Sequence, residues 1–307
     1  MTIKWPGNRT FAFSIFDDPD SQTVTGLRAV YDYLSDAGLR TTVGVWPYGP
    51  TRERNSDGET CCNLEYRKYV RELSGRGFEI GFHLAAPHSC SRQETASGLD
   101  AFADYFGDFP ITMANHYNSE AIYWGKYRLG GVRQRIYVAA TLTKNTGRFS
   151  GNIEDSPYFW GDLCKEKVRF CRNFTYEGIN TLASCPWMPY HDPERQYVNY
   201  WFASSDGKEV QKCRQLLCEQ NQDALESQGG ACIVYTHFGL GFVREGVLDE
   251  RFRMLIDRLR QKNGWFVPVG TLLEYLRAQR PDVAITSHQR RNLEWRWLRG
   301  KLFRGCS

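Results

Sequence analysis

Short apolar runs alternate with helix-spaced apolar stripes along most of this chain, and that alternation limits its fold more than any other feature. Phe11, Phe13 and Ile15 lie in a β-like run that ends at Asp17 and Asp18. Val24, Leu27, Tyr31 and Leu34 then recur at helical spacing until Gly38. Residues 41–46 read as a second strand and 78–83 as a third. Between them, Tyr66, Tyr69, Val70 and Leu73 form a helical face closed by Gly75 and Gly77. Leu99, Phe102 and Phe106 mark the next helix, and residues 111–114 a short strand that runs into Asn115 and His116. The spacing predicts a helix over 120–142, strands over 169–175 and 198–203, and a helix over 208–225. A strand over 231–236 follows, then a helical face of Phe252, Leu255, Ile256 and Leu259, a strand over 265–269 and a helix from Leu272. Repetition of this order implies parallel strands joined by crossover helices, as in a (β/α) barrel of about seven strands.

Composition supports one large unit. The 307 residues are 41% hydrophobic and 14% aromatic, enough for a sizeable core. A net charge of +4 is too small to argue for nucleic acid across the surface. Ten cysteines occur without a C-x-x-C pair, which reads as reduced, mostly buried thiols rather than a zinc finger or a disulfide framework. The segment from Met1 to Gly7 has no apolar signal region, and no run has transmembrane length, so a cytoplasmic location is expected. No linker-like stretch precedes Arg280, which divides the chain into a barrel over residues 1–284 and a C-terminal tail over 285–307.

Functional groups of parallel α/β folds gather at the C-terminal ends of the strands. Here the first strand ends in Asp17 and Asp18, the third in His83 followed by His88, the fourth in Asn115 and His116, and the strand over 231–236 in His237. Ser204, Ser205 and Asp206 read as a turn. Any one such histidine is more often an ordinary core or loop residue. Four of the six histidines beside an aspartate pair argue together for a divalent metal, and carboxylate with imidazole suits zinc, iron, manganese, cobalt or nickel. Trp46 and Tyr117, each just past a strand, are placed to offer an aromatic face to a ligand, and with Asn115 they are the candidate substrate-binding residues.

Three segments resemble the polysaccharide deacetylases, the NodB-homology family. Phe13-Ser14-Ile15-Phe16-Asp17-Asp18 is similar to its first motif, Phe78-Glu79-Ile80-Gly81-Phe82-His83 to its second, and Ile233-Val234-Tyr235-Thr236-His237 to its last. Order and spacing match from about residue 8 to 278. The resemblance implies a distorted (β/α) barrel and a metal-dependent hydrolase that removes N- or O-acetyl groups from a saccharide. It implies Asp17 as general base, Asp18 and His83 as metal ligands, His88 as the second histidine ligand and His237 as general acid, with zinc the expected ion. His83 and His88 are five residues apart where the family has four, so His116 is the rival third ligand. The family's arginine segment has no counterpart at Met113-Ala114-Asn115-His116-Tyr117-Asn118. Hydrolysis of non-sugar amide C–N bonds, or glycan binding with little turnover, are the competing readings.

In the tail, Trp295, Leu298 and Leu302 share one helical face, and Arg290, Arg291, Arg296, Arg299, Lys301 and Arg304 are basic. Such a segment lies on an anionic membrane surface or docks on the barrel. The membrane reading would hold the enzyme at the inner membrane face and suit a substrate of exopolysaccharide or lipopolysaccharide synthesis.

Overall fold

The computed structural model describes residues 3–141, 148–280 and 283–305, with Arg304 by its backbone alone. Strand β1 (Phe11–Asp17) is buried along its whole length, because both of its faces are covered. It is followed by β2 (Thr42–Val45), β3 (Glu79–Phe82), β4 (Thr112–Ala114), β5 (Phe170–Tyr176), β6 (Tyr200–Asp206) and β7 (Ala231–Thr236). All seven are parallel and in sequential order, and β7 pairs back onto β1 from Ala12↔Ala231 to Asp17↔Thr236. This is the expected closed barrel. A hairpin, β8 (Val243–Arg244) and β9 (Val247–Leu248), stands outside it. The last strand, β10 (Gly264–Phe266), explains the distortion. It pairs with β1 at Phe11 to Phe13, while β2 pairs with β1 only at Phe16 and Asp17. The two strands share one edge of β1, and β10 fills the gap at the base.

The crossover helices pack as the apolar stripes require. Helix α1 (Val24–Asp36) buries Leu27, Val30, Tyr31 and Leu34, and the Thr23 hydroxyl accepts from the Gly26 amide at its start. Helix α2 (Leu64–Gly75) buries Tyr66, Tyr69, Val70 and Leu73. Helix α3 (Arg92–Phe106) opens with a capping box between Ser91 and Glu94 and ends at Gly107 in the left-handed region.

The expected helix over 120–142 is not continuous. Tyr123 and Gly125 have positive φ, leaving a 3-10 turn (Gly125–Arg128) and then α4 (Gly131–Ala140). Leu142 lies outside the described residues. Two short helices, α5 (Gly161–Lys167) and α6 (Thr181–Ser184), flank β5. The expected helix over 208–225 is two, α7 (Val210–Leu216) and α8 (Glu219–Gln228), because Cys218 between them leaves helical geometry with ψ 157°. Ser204, Ser205 and Asp206, read as a turn, are the buried end of β6. Helix α9 (Glu250–Leu259) buries Phe252, Leu255, Ile256 and Leu259. Pro268 has no N–H to donate, so β10 is shorter than expected and α10 (Val269–Ala278) begins beside it.

The tail forms α11 (Ser287–Arg304), which docks on β5 and α4. Leu293, Trp297 and Leu298 are core residues, and Leu302 and Phe303 are exposed. Trp297 and Leu298, which a membrane interface would need free, are therefore committed to the barrel. Glu294 is fully buried and accepts from the Gly130 amide, Arg133 Nε (2.6 Å) and Arg195 Nη2 (2.9 Å). No helix among the described residues is long and apolar enough to cross a membrane.

Candidate active site

The strand period of two separates the two aspartates at the end of β1. Asp17 faces the helix layer. Its carboxylate accepts from the Phe238 amide (2.8 Å), the Tyr31 hydroxyl on α1 (3.0 Å) and the Gln22 amide group. Burial pushes its pKa well up, against the pull of the Phe238 and Tyr31 hydrogen bonds. It is fully buried and its oxygens are taken up by these three donors, so the position suits a structural anchor rather than a base. Asp18 points inward and meets the Arg172 guanidinium with both oxygens, Nη1 lying 2.9 Å from Oδ1. Arg172 is on β5, just before a register shift in its pairing with β6, the kind of irregularity that re-aims a side chain. An arginine thus reaches Asp18 from β5.

Pro19 turns the chain, and Asp20, which sequence reasoning passed over, stands at the centre of the histidines. Its oxygens lie 3.5 Å from His83 Nε2, 3.2 Å from His116 Nε2 and 3.6 Å from His237 Nε2. Two glycines allow this loop its position. A Cβ on Gly58 would lie 2.4 Å from the Pro19 carbonyl oxygen, and one on Gly239 would lie 2.3 Å from the Ser21 carbonyl carbon. Burial works against the charge of Asp20, but the neighbouring His116 and His83 rings outweigh it and hold the carboxyl well below its usual range. Burial likewise opposes a charged His116, yet contact with Asp20 lifts its pKa above the ordinary histidine value. At His83 burial wins, and the pKa falls.

His116 Nδ1 sits 2.9 Å from Asn118 Oδ1, which fixes the ring with Nε2 toward Asp20. His237 Nδ1 donates to the Lys208 carbonyl (2.9 Å), leaving Nε2 toward the cavity. Trp46 is fully buried against both other rings, 5.7 Å from His83 and 5.2 Å from His116. It braces the imidazoles and offers no face to a sugar. His88 is not brought to this cluster. The chain turns immediately after His83, where Leu84 has φ +67°, and the His88 ring bonds Thr51 Oγ1 and the Ser89 carbonyl. Asn115 lines the cavity, but its amide is taken up by the Ile122 backbone. Tyr117 is 41% exposed at the rim.

Asp20, His83 and His116 place one donor atom each within 4.8 Å of the others, as do Asp18, Asp20 and His237. His83 Nδ1 and Asp20 Oδ2 are buried without a hydrogen-bond partner, which is costly unless a ligand satisfies them. A carboxylate with two imidazoles is a donor set for zinc or a related divalent ion, and it fits these residues. The cluster opens into a cavity of about 540 Å³ whose wall includes Tyr117, Trp124, Arg128, Lys208 and Trp297.

Fold and site together define a (β/α) barrel carrying a carboxylate–imidazole centre at the C-terminal ends of its strands. No protein-family model matches the chain, and no curated protein sequence matches it. Among solved structures it is similar to a protein assigned as a polysaccharide deacetylase from Mycobacterium smegmatis. That likeness has 12% identity, 93% of this chain and 96% of the other covered, and a TM-score of 0.51. A protein assigned as a polysaccharide deacetylase from Pseudomonas aeruginosa PAO1 matches at 12% identity, over 92% and 95% of the two chains, with a TM-score of 0.49. The chain shares the barrel fold of the polysaccharide deacetylases.

Proposed function

We propose that this chain is a divergent polysaccharide deacetylase, a metal-dependent hydrolase that removes acetyl groups from a saccharide. The observation that carries this reading is Asp20, held ionised among three imidazoles with buried donor atoms unsatisfied beside it. Asp20, His83 and His116 would hold the ion. A divalent ion held there would supply Lewis-acid chemistry, polarising a carbonyl and making a water more acidic. Asp18 is the base: Arg172 orients its carboxylate, which takes the proton of the attacking water. His237 is the acid, its Nε2 facing the cavity to give a proton to the departing nitrogen or oxygen. Tyr117 and Trp124 give the cavity aromatic surface for a sugar ring.

Elemental analysis tests the ligand set. Wild type should bind equimolar zinc or a related ion, and Asp20→Asn, His83→Ala and His116→Ala should lose it, while His88→Ala keeps it. Acetate release from a panel of acetylated glycans should follow metal content. Loss of metal in His88→Ala with retention in His116→Ala would reverse the assignment, and absence of metal from reconstituted wild type would remove it.

A further inference from the structure

Arg128 is a buried cation in the wall of the cavity just described, and no carboxylate among the described residues pairs with it. It is 3% exposed, and its guanidinium lies 3.2 Å from the Trp124 ring centre and 5.0 Å from that of Trp297. Its Nε and Nη2 have no hydrogen-bond partner. The fold treats its other buried arginines differently. Arg172 is paired with Asp18, Arg195 with Asp192 and Glu294, Arg133 with Glu294, and Arg290 with Asp192. Burial pulls Arg128 down to a pKa of about 9, and the like charge of Arg172 adds to this. Its charge is thus retained at neutral pH at a cost that stacking on indoles offsets only in part.

The charge balance of the cavity points the same way. Among the described residues its carboxylates are Asp18 and Asp20, and its cations include Arg128, Arg172 and Lys208. Asp18 matches Arg172, and Asp20 faces the metal position. Arg128 and Lys208 remain, Arg128 lying against Trp124.

We infer that Arg128, backed by Lys208, binds an oxyanion of the substrate, so that the site takes an acidic acetylated saccharide, one bearing a phosphate or a carboxylate, in preference to a neutral one. This rests on the hydrolase reading of the same cavity. An oxyanion supplies what Arg128 lacks, because guanidinium–oxyanion hydrogen bonds are among the strongest that side chains make.

Calorimetry reads this without turnover. The full chain is titrated with N-acetylglucosamine 1-phosphate, N-acetylmuramic acid and neutral N-acetylglucosamine, as wild type, Arg128→Lys and Arg128→Met. At least one acidic sugar should bind wild type about tenfold or more tightly than the neutral one, the worth of one charge-assisted hydrogen bond. Which of the two does so separates phosphate from carboxylate. The preference should shrink at high salt, persist in part in Arg128→Lys and approach unity in Arg128→Met. Melting of the unliganded Arg128→Met protein should not fall, because an uncompensated charge has been removed. A wild-type ratio near one overturns the inference, as does a ratio unchanged in Arg128→Met, which would mean that the metal alone holds the anion. A lower melting point in Arg128→Met with no change in ratio marks Arg128 as structural and also overturns it. Charge-selective binding without acetate release from any acidic glycan would instead sink the hydrolase reading alone.

Discussion

Asp17 and Asp18 are neighbours with opposite surroundings, and substitution should separate them. Asp17 accepts three hydrogen bonds on the helix side of β1. An asparagine there turns an NH2 toward donors, which costs about 1–3 kcal/mol. Asp17→Asn should therefore unfold at lower urea with an unchanged slope and keep its metal. Asp18→Asn should also keep its metal, but its hydrolysis should fall at least ~10²-fold, because an amide cannot take the water's proton as a carboxylate can. Near-normal turnover in Asp18→Asn would move the base elsewhere. The sequence showed that an aspartate pair and histidines end the strands, and the structure brings Asp18, His83, His116 and His237 around one point. Alternation along β1 held the further clue that Phe16 and Asp18 share the inner face, which favours Asp18 over Asp17. Asp20 was hidden because Pro19 puts it on a loop, where period and motif both stop. Arg172 and Arg128 were hidden because no sequence spacing reports contacts across a barrel.

The elements differ in how openly they are written. Strands β1, β3 and β7 and helices α1, α2, α3 and α9 carry strong apolar periods, and they form where those periods predict. The segment between β4 and β5 does not, because positive φ at Tyr123, Gly125 and Gly131 breaks a helix that its composition would allow. Helix α11 shows a further limit. Its basic, aromatic stripe was compatible with a membrane surface, and only tertiary contact reveals that Trp297 packs against Tyr137 and Phe174. Its anchor is Glu294, buried between Arg133 and Arg195. Glu294→Ala leaves two buried guanidiniums short of a partner and should cost about 3–5 kcal/mol. Arg291→Ala, on the exposed face of the same helix, should stay within about 0.5 kcal/mol of wild type. Equal melting points for the two variants would mean that α11 is not held by this pairing.

Closure of the barrel makes the site a property of the assembled sheet. Asp20 follows β1, His83 follows β3, His116 follows β4 and His237 follows β7, so the donor atoms converge only when β7 has returned to β1. A metal held by Asp20, His83 and His116 ties three strand ends together in the folded state and has no such site in the unfolded chain. It should therefore stabilise the fold by mass action, about 2.7 kcal/mol when free metal is a hundredfold above its Kd. Chelation should lower the melting temperature by several degrees, excess zinc should restore it, and Asp20→Asn should respond to neither. The sign of the pH dependence follows from the imidazoles, which bind metal only when unprotonated. Contact with Asp20 raises the His116 pKa in the metal-free protein, so as pH falls this ring takes up its proton earlier than an ordinary histidine. The chelator-sensitive part of the stability should be full above the His116 pKa and fade as pH drops through it. Calorimetric melts with and without chelator between pH 5 and about 8, the range that brackets histidine titration, measure this directly. If wild type melts at the same temperature with and without chelator across that range, the three strand ends do not share an ion.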